Sequence, residues 1–211
     1  GKTYLARAVA GELGARFISV AMSDVLSRWM GESENNIAEL FTYARQQAPC
    51  VLFFDEIDAL GRSRSGLGRS ASALRGVINQ LLAELDGVAS QNEGIFVLGA
   101  TNAPWDVDGA LRRPGRFDRA VFVEPPDEVA RAEILRLHLA ELPQDPGIDL
   151  SALAARTGTF SGADLAHVAR SAAQTAMLDA ARTGSSDRAI GMGDLEPAVA
   201  ATTPSTGRWF N

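Results

Sequence analysis

Three acidic residues follow an apolar segment near the middle of the chain. In VLFFDEID, residues 51–58, four apolar residues lead directly into Asp55 and Glu56, and Asp58 follows after one intervening residue. A buried carboxylate is costly unless a cation or hydrogen-bond donors compensate its charge. We therefore expect a cation, or a water molecule that loses a proton, beside these acids. The alternative is that they cap the start of a helix.

The first three residues, Gly1, Lys2 and Thr3, indicate phosphate binding. A Gly-Lys-Thr sequence at the start of a helix is the last part of a phosphate-binding loop, in which Lys reaches the β- and γ-phosphates and Thr binds Mg²⁺. Lys2 is the only lysine among 20 basic residues, which favours a specific use of its compact ammonium group. Three residues are a weak signal alone, but their pairing with Asp55 and Glu56 predicts a nucleotide–magnesium site.

Two further polar segments fit such a site. Asn102 ends GATN, directly after an apolar run, and its amide is suited to holding an attacking water or sensing a terminal phosphate; a turn asparagine is the alternative. LRRPGRFDR, residues 111–119, places Arg116 and Arg119 around a Pro-Gly turn. Exposed arginines are usually solvated or paired with acids, but these two could also reach a phosphate bound to a neighbouring subunit.

The elements that must position these residues follow from the apolar pattern. Four short apolar runs predict buried strands at 16–21, 50–54, 94–100 and 120–125. Helical patterns alternate with them, which predicts a parallel α/β sheet. Ligands bind beyond the carboxyl ends of the strands in such sheets, so the acids and Asn102 should share one edge.

Beyond residue 126 the pattern becomes purely helical. Helices are predicted at 127–141, 150–156, 162–182 and 193–201. Ser161 and Asp164 have the spacing of a capping box at the start of the third. We therefore predict an α/β domain at 1–126 and a small helical domain at 127–211.

Composition narrows the function classes. The net charge of −6, from 20 basic and 26 acidic residues, argues against binding nucleic acid through bulk charge. No apolar run approaches the length of a membrane-spanning helix. Cys50 is the only cysteine, which excludes an internal disulfide and favours a reducing, cytoplasmic location. The chain opens as a helix with no strand before it, which predicts a fragment of a longer protein.

Five motifs together resemble one family. GKT, FFDEID, GATN, RPGRFDR and SGADL occur in the order and approximate spacing of the AAA ATPases, of the AAA+ superfamily, over essentially the whole chain. The chain looks most like the second ATPase ring of unfoldases of the valosin-containing-protein type. WMGESE is also similar to the ESCRT-disassembly and microtubule-severing ATPases. The resemblance implies a P-loop NTPase sheet that begins inside the phosphate-binding loop, followed by an all-helical lid.

The resemblance implies a role for each matching residue. Phosphate would be bound by Gly1, Lys2 and Thr3. Magnesium would be held by Thr3 and Asp55, with Glu56 polarising the attacking water and Asn102 acting as a sensor. The arginine fingers that enter the adjacent subunit's site would be Arg116 and Arg119. The adenine and ribose would be bound by His138, Gly162 and Ala163, although from sequence alone His138 reads as a half-buried residue of an amphipathic helix.

The resemblance also implies a function. Trp29, Met30 and Gly31 would form a pore loop that grips polypeptide, with core packing of Trp29 as the alternative, and the Arg-rich segment 62–72 would form a second pore loop. The implied protein is an ATP-dependent unfoldase, a chaperone working as a homo-oligomeric ring, most simply a hexamer, with ATP and Mg²⁺ as cofactors. Two other readings stay open: a nucleic-acid-associated AAA+ motor, favoured by the arginines at 62–75, and a nucleotide-gated scaffold without turnover.

Overall fold

The computed structural model describes residues 1–27, 33–62, 69–86, 92–184 and 188–206. The chain forms two compact units, Lys2–Phe122 and Val123–Asn211, and Gly1 groups with the second. No helix in these described ranges is long and apolar enough to cross a membrane.

The first unit is built on a parallel sheet. Its strands are β1 (Arg16–Ala21), β2 (Cys50–Asp55) and β3 (Ile95–Gly99), and they lie side by side in the order β1-β2-β3. Its helices are α1 (Lys2–Glu12), α2 (Met22–Ser27), α3 (Ser33–Gln46), α4 (Ala59–Arg62) and α5 (Arg69–Asp86), with a 3₁₀ turn at Pro104–Asp106. The predicted α/β class and the first three predicted strands are confirmed.

The central strand is buried on both faces. Successive side chains of a strand point to opposite faces of the sheet. Leu52 and Phe54 are fully buried on the face covered by α3 and α5, where the rings of Phe54 and Phe41 stack with centroids 6.2 Å apart. On the other face, Phe53 packs against Ala6 of α1. This burial on two sides explains why β2 is apolar at every position before Asp55.

The prediction of a fourth strand at 120–125 is wrong. These residues have no regular secondary structure, and the side chains of Val121 and Phe122 are 81% and 75% exposed. A strand is stabilised by hydrogen bonds to a neighbouring strand, and none of the described strands pairs with this segment. An apolar run therefore predicts a strand only where a partner lies beside it.

The second unit is helical, as its sequence pattern predicts. Its helices are α6 (Glu128–Leu139), α7 (Leu150–Arg156), α8 (Gly162–Thr183) and α9 (Met192–Ala201). Leu135, Leu153 and Leu165 are fully buried in its core. The predicted capping box is present: the Ser161 side chain accepts a hydrogen bond from the Asp164 N–H, and the Asp164 side chain accepts one from the Ser161 N–H.

Candidate active site

Predicted site residues from three distant segments meet at the carboxyl edge of the sheet. The Lys2 ammonium, at the start of α1, lies 2.5 Å from the side-chain oxygen of Asn102, which follows β3. The Thr3 hydroxyl donates to a carboxylate oxygen of Asp55, the last residue of β2, at 3.3 Å. Because β2 and β3 are parallel, their carboxyl ends lie at one edge, and the start of α1 lies beside them. The contacts of Lys2 with Asn102 and of Thr3 with Asp55 therefore define the candidate site.

Glu56 has an unusual backbone conformation at this edge. Its φ is 56°, the left-handed region that residues other than glycine rarely adopt, at a cost of about 1–3 kcal/mol. Hydrogen bonds on both sides fix it: its N–H donates to the Asp55 carboxylate at 3.0 Å, and the N–H of Ile57 donates to the carbonyl of Ala100 at 3.0 Å. The Glu56 side chain is exposed. Such strain clusters at functional sites, and here it turns the chain sharply between Asp55 and Glu56.

The third acid of the opening segment connects two loops. Asp58 is only 5% exposed, and its carboxylate accepts a hydrogen bond from the Thr101 hydroxyl at 2.7 Å. The same hydroxyl accepts from the N–H of Ala103 at 2.8 Å. Thr101 thus holds the loop that carries Asn102 against the loop that carries Glu56. Sequence reasoning did not assign Thr101 a role, and its only signal was its place beside Asn102 in GATN.

The chemistry of this edge suits a magnesium–phosphate ligand. Mg²⁺ prefers oxygen ligands, and the Thr3 hydroxyl and the Asp55 carboxylate supply two of them side by side. The start of α1 presents backbone N–H groups and the positive end of the helix dipole, and Lys2 adds a full positive charge. The residues present therefore fit both a phosphate and its metal ion. Gly1 directly precedes this helix and is exposed.

Arg116 is paired within its own chain. Its guanidinium donates to both carboxylate oxygens of Asp86 at 2.7 Å and to the carbonyl of Ala110 at 2.7 Å. The hydrogen bond to Arg116 lowers the pKa of the Asp86 carboxyl, and the same bond raises the pKa of Arg116. Gly115 precedes Arg116 with a φ of 84°, which forms the tight turn of this segment. Arg119, by contrast, is exposed.

The pairing with Asp86 was not foreseen from the sequence. Asp86 is the last residue of α5 and lies 30 positions from Arg116, so no local spacing connects the two. It is the residue that orients the guanidinium, and its side chain remains 56% exposed.

The remaining described site residues lie in the helical unit. His138 is exposed in the last turn of α6 and lines a cleft of about 370 Å³ together with Arg170 of α8. Gly162 and Ala163 are the first residues of α8 and do not line this cleft. A Cβ atom added to Gly162 would lie 3.7 Å from Ile134, one helical turn before His138. His138 and Gly162 therefore lie on adjacent helices of one unit.

The predicted pore loops lie largely outside the described residues. Trp29, Met30 and Gly31 lie outside the described residues, as do positions 63–68 of the predicted second loop. Their assignment as pore loops stays a prediction.

Comparison with known proteins identifies relatives of this chain. A family model described as "ATPase family associated with various cellular activities (AAA)" matches residues 1–125. The chain is 44% identical over 200 residues to "ATP-dependent zinc metalloprotease FtsH 1" of Salinibacter ruber, a match that covers 94% of this chain and 28% of that protein. It is 46% identical over 184 residues to "Cell division cycle protein 48 homolog" of Archaeoglobus fulgidus, covering 87% of this chain and 25% of that protein. The chain thus spans about a quarter of the length of these relatives.

Proposed function

We propose a function for this chain from one premise: it belongs to the AAA family of ATPases. The protein hydrolyses ATP at the carboxyl edge of the sheet and uses the free energy to remodel polypeptide substrates. The observation that carries the proposal is the meeting of Lys2 with Asn102 and of Thr3 with Asp55 at that edge. The relative named as an ATP-dependent zinc metalloprotease supports protein, rather than nucleic acid, as the substrate.

The first residues of α1 bind the phosphates. The Lys2 ammonium donates to the β- and γ-phosphates, and Gly1 leaves room for them to approach the backbone. The Thr3 hydroxyl and the Asp55 carboxylate would hold Mg²⁺, which would neutralise charge on the phosphates. Because Lys2 and Asn102 already lie within hydrogen-bond distance, both side chains can reach the same terminal phosphate.

Glu56 orients and polarises the attacking water. Its exposed carboxylate is directed by the left-handed backbone turn, while Asp55 is bound to Thr3 and to the Glu56 N–H. The two adjacent acids can therefore serve different purposes, one for the metal and one for the water. Asn102 senses the terminal phosphate.

Arg116 and Arg119 complete the site of an adjacent subunit. Within the described residues, three of the five guanidinium N–H groups of Arg116 are used by Asp86 and Ala110, which leaves two to donate to a phosphate. Asp86 restricts the side chain, which reduces the entropy lost when it meets a ligand. A homo-oligomeric ring, most simply a hexamer, would bring each Arg116 to a neighbour's ATP.

The other predicted assignments form part of the same proposal. Residues 1–126 form the nucleotide-binding domain, and residues 127–211 form the lid, with His138, Gly162 and Ala163 contacting the adenosine. Trp29, Met30 and Gly31 grip the polypeptide in the central pore of the ring. A reducing, cytoplasmic location remains a prediction from the single Cys50.

Glu56→Gln in the complete protein tests the assignment of the catalytic carboxylate. Loss of the base should lower ATP turnover at least about 100-fold while ATP still binds, because glutamine keeps the shape but cannot take a proton. Glu12→Gln, an exposed acid of α1, is the matched control and should turn over ATP at the normal rate. Normal turnover in Glu56→Gln would remove Glu56 from the mechanism.

A mixing experiment tests the shared site. Arg116→Ala should lower turnover by about 10³-fold or more, as loss of an arginine finger does elsewhere. Mixing this variant with Glu56→Gln should restore part of the activity, because some interfaces then combine an intact Glu56 with a neighbour's intact Arg116. No recovery in mixed rings of normal size would refute action between subunits.

A further inference from the structure

A short segment after the last helix is tied to the start of α8. Residues 203–206 follow α9, and two of them, Ser205 and Thr206, form hydrogen bonds with residues 41 and 47 positions earlier, in the turn at 159–164. We call residues 203–206 the return segment and residues 159–164 the capping turn. Both lie in the helical unit.

Asp164 is the centre of the connection. One of its carboxylate oxygens accepts from the Ser161 N–H at 2.7 Å and from the Ser161 hydroxyl at 2.9 Å. The same oxygen accepts from the Ser205 N–H at 3.0 Å and from the Ser205 hydroxyl at 2.8 Å. Asp164 is only 8% exposed. Asp164 therefore holds its own helix start and the return segment with a single oxygen atom.

One other contact reinforces the connection: the Thr206 hydroxyl donates to the carbonyl of Thr159. The hydroxyls of Ser161 and Ser205 converge on the same carboxylate oxygen and lie 2.9 Å apart. Burial alone would raise the pKa of the Asp164 carboxyl, but the hydrogen bonds from Ser161 and Ser205 outweigh it and lower that pKa. The carboxylate is thus the charged form that all these donors stabilise.

The arrangement exceeds the needs of helix capping. The next helix start in the same unit provides a comparison: Asp194 of α9 accepts from the Gly191 N–H at 3.0 Å and pairs with Arg188, a near neighbour in sequence. That cap is local, whereas the cap at Asp164 recruits Ser205, which lies 41 positions away. The additional partners hold the capping turn, which contains Gly162 and Ala163.

We infer that Asp164 couples nucleotide contact at Gly162 and Ala163 to the order of the return segment. This inference rests on the proposed contact of those two residues with ATP. A ligand that orders the capping turn also orders Ser205 and Thr206 through the shared carboxylate, and by reciprocity an ordered return segment favours the ligand. Asp164 and Ser205 are positioning residues and make no contact with the reacting atoms.

Amide hydrogen exchange of the complete protein, with and without Mg²⁺ and ADP, tests the inference. ADP should slow exchange at 161–165 and also at 203–206. In Ser205→Ala, ADP should still slow exchange at 161–165. The factor by which ADP slows exchange at 203–206 should fall about tenfold, which is the scale of one hydrogen bond to a charged group. The Kd for ADP should rise about fivefold.

Matched variants separate coupling from general loosening. Thr202→Val removes a hydroxyl that donates to the carbonyl of Ala198, its one hydrogen bond among the described residues, and should leave the ADP effect at 203–206 unchanged. Asp194→Asn weakens the local cap of α9 and should not raise the Kd for ADP, whereas Asp164→Asn should.

Different results would refute the coupling through Asp164 and the nucleotide contact of Gly162 and Ala163. Slower exchange at 161–165 with no change at 203–206 would overturn the coupling and keep the nucleotide contact. No effect of ADP at either segment would overturn the proposed contact of Gly162 and Ala163, and the coupling with it. An equal rise in Kd for Asp164→Asn and Asp194→Asn would show a structural effect only.

Discussion

Thr101 offers a sharp test of how the site is held together. Thr101→Val keeps the shape of the side chain but removes the donor to Asp58 and the acceptor for the Ala103 N–H. A hydrogen bond to a charged group contributes about 1.5–3 kcal/mol and a neutral one about 0.5–1.5 kcal/mol. Thr101 is half-buried and Asp58 keeps another interaction, so we expect a net loss of about 2–3 kcal/mol in the free energy of unfolding.

Native-state hydrogen exchange of the β2 amides measures this loss in the first unit. The expected decrease in protection is about 30- to 150-fold, which corresponds to the same 2–3 kcal/mol. Thr42→Val is the control, because within the part of the chain that the structure describes the exposed Thr42 hydroxyl bonds only to the carbonyl of Ala38 in its own helix. Its protection should change by less than about 0.5 kcal/mol. Equal protection in the two variants would refute the view that Thr101 fastens the two loops of the site.

Three other predictions concern strain, packing and charge. Glu56→Gly should increase the free energy of unfolding by about 1 kcal/mol, since glycine accepts a φ of 56° without strain. The variant should also lose ATP turnover. A decrease in the free energy of unfolding would refute the strain at Glu56. Phe54→Ala should cost about 3–5 kcal/mol in urea unfolding and Phe96→Ala clearly less, since Phe54 is fully buried and Phe96 is 50% exposed; similar losses would contradict the packing. The Asp164 carboxyl has a pKa lowered from 3.8, so its stabilisation is present above that value and lost as pH falls through the lower folded value. The stability gap to Asp164→Asn, about 1 kcal/mol near neutral pH, should therefore close in acid, and a gap that is independent of pH would count against a charged Asp164.

Much of the fold follows from local sequence signals. The apolar run before Asp55 is continuous because β2 is buried on both faces, and the same reasoning found β1 and β3. The start of α8 was predicted from Ser161 and Asp164 because a capping box uses a fixed spacing of three residues. The position of Asp55 and Asn102 at one edge follows from a general rule, since the carboxyl ends of parallel strands lie at the same edge of a sheet.

The features that the sequence did not reveal all depend on distant partners. The segment 120–125 is apolar enough for a strand, but strand formation requires a neighbour that its own residues do not specify. The pairing of Arg116 with Asp86, and of Asp58 with Thr101, joins residues 30 and 43 positions apart. Side-chain partners at such separations are set by the packed fold rather than by spacing along the chain.

A structure of the Glu56→Gln variant with Mg²⁺ and ATP tests the central claim most directly. The account predicts the triphosphate at the start of α1, with the Lys2 ammonium on it, the metal beside Thr3 and Asp55, and an arginine of the neighbouring subunit at the γ-phosphate. A nucleotide bound away from this edge, or a metal that contacts neither Thr3 nor Asp55, would contradict it.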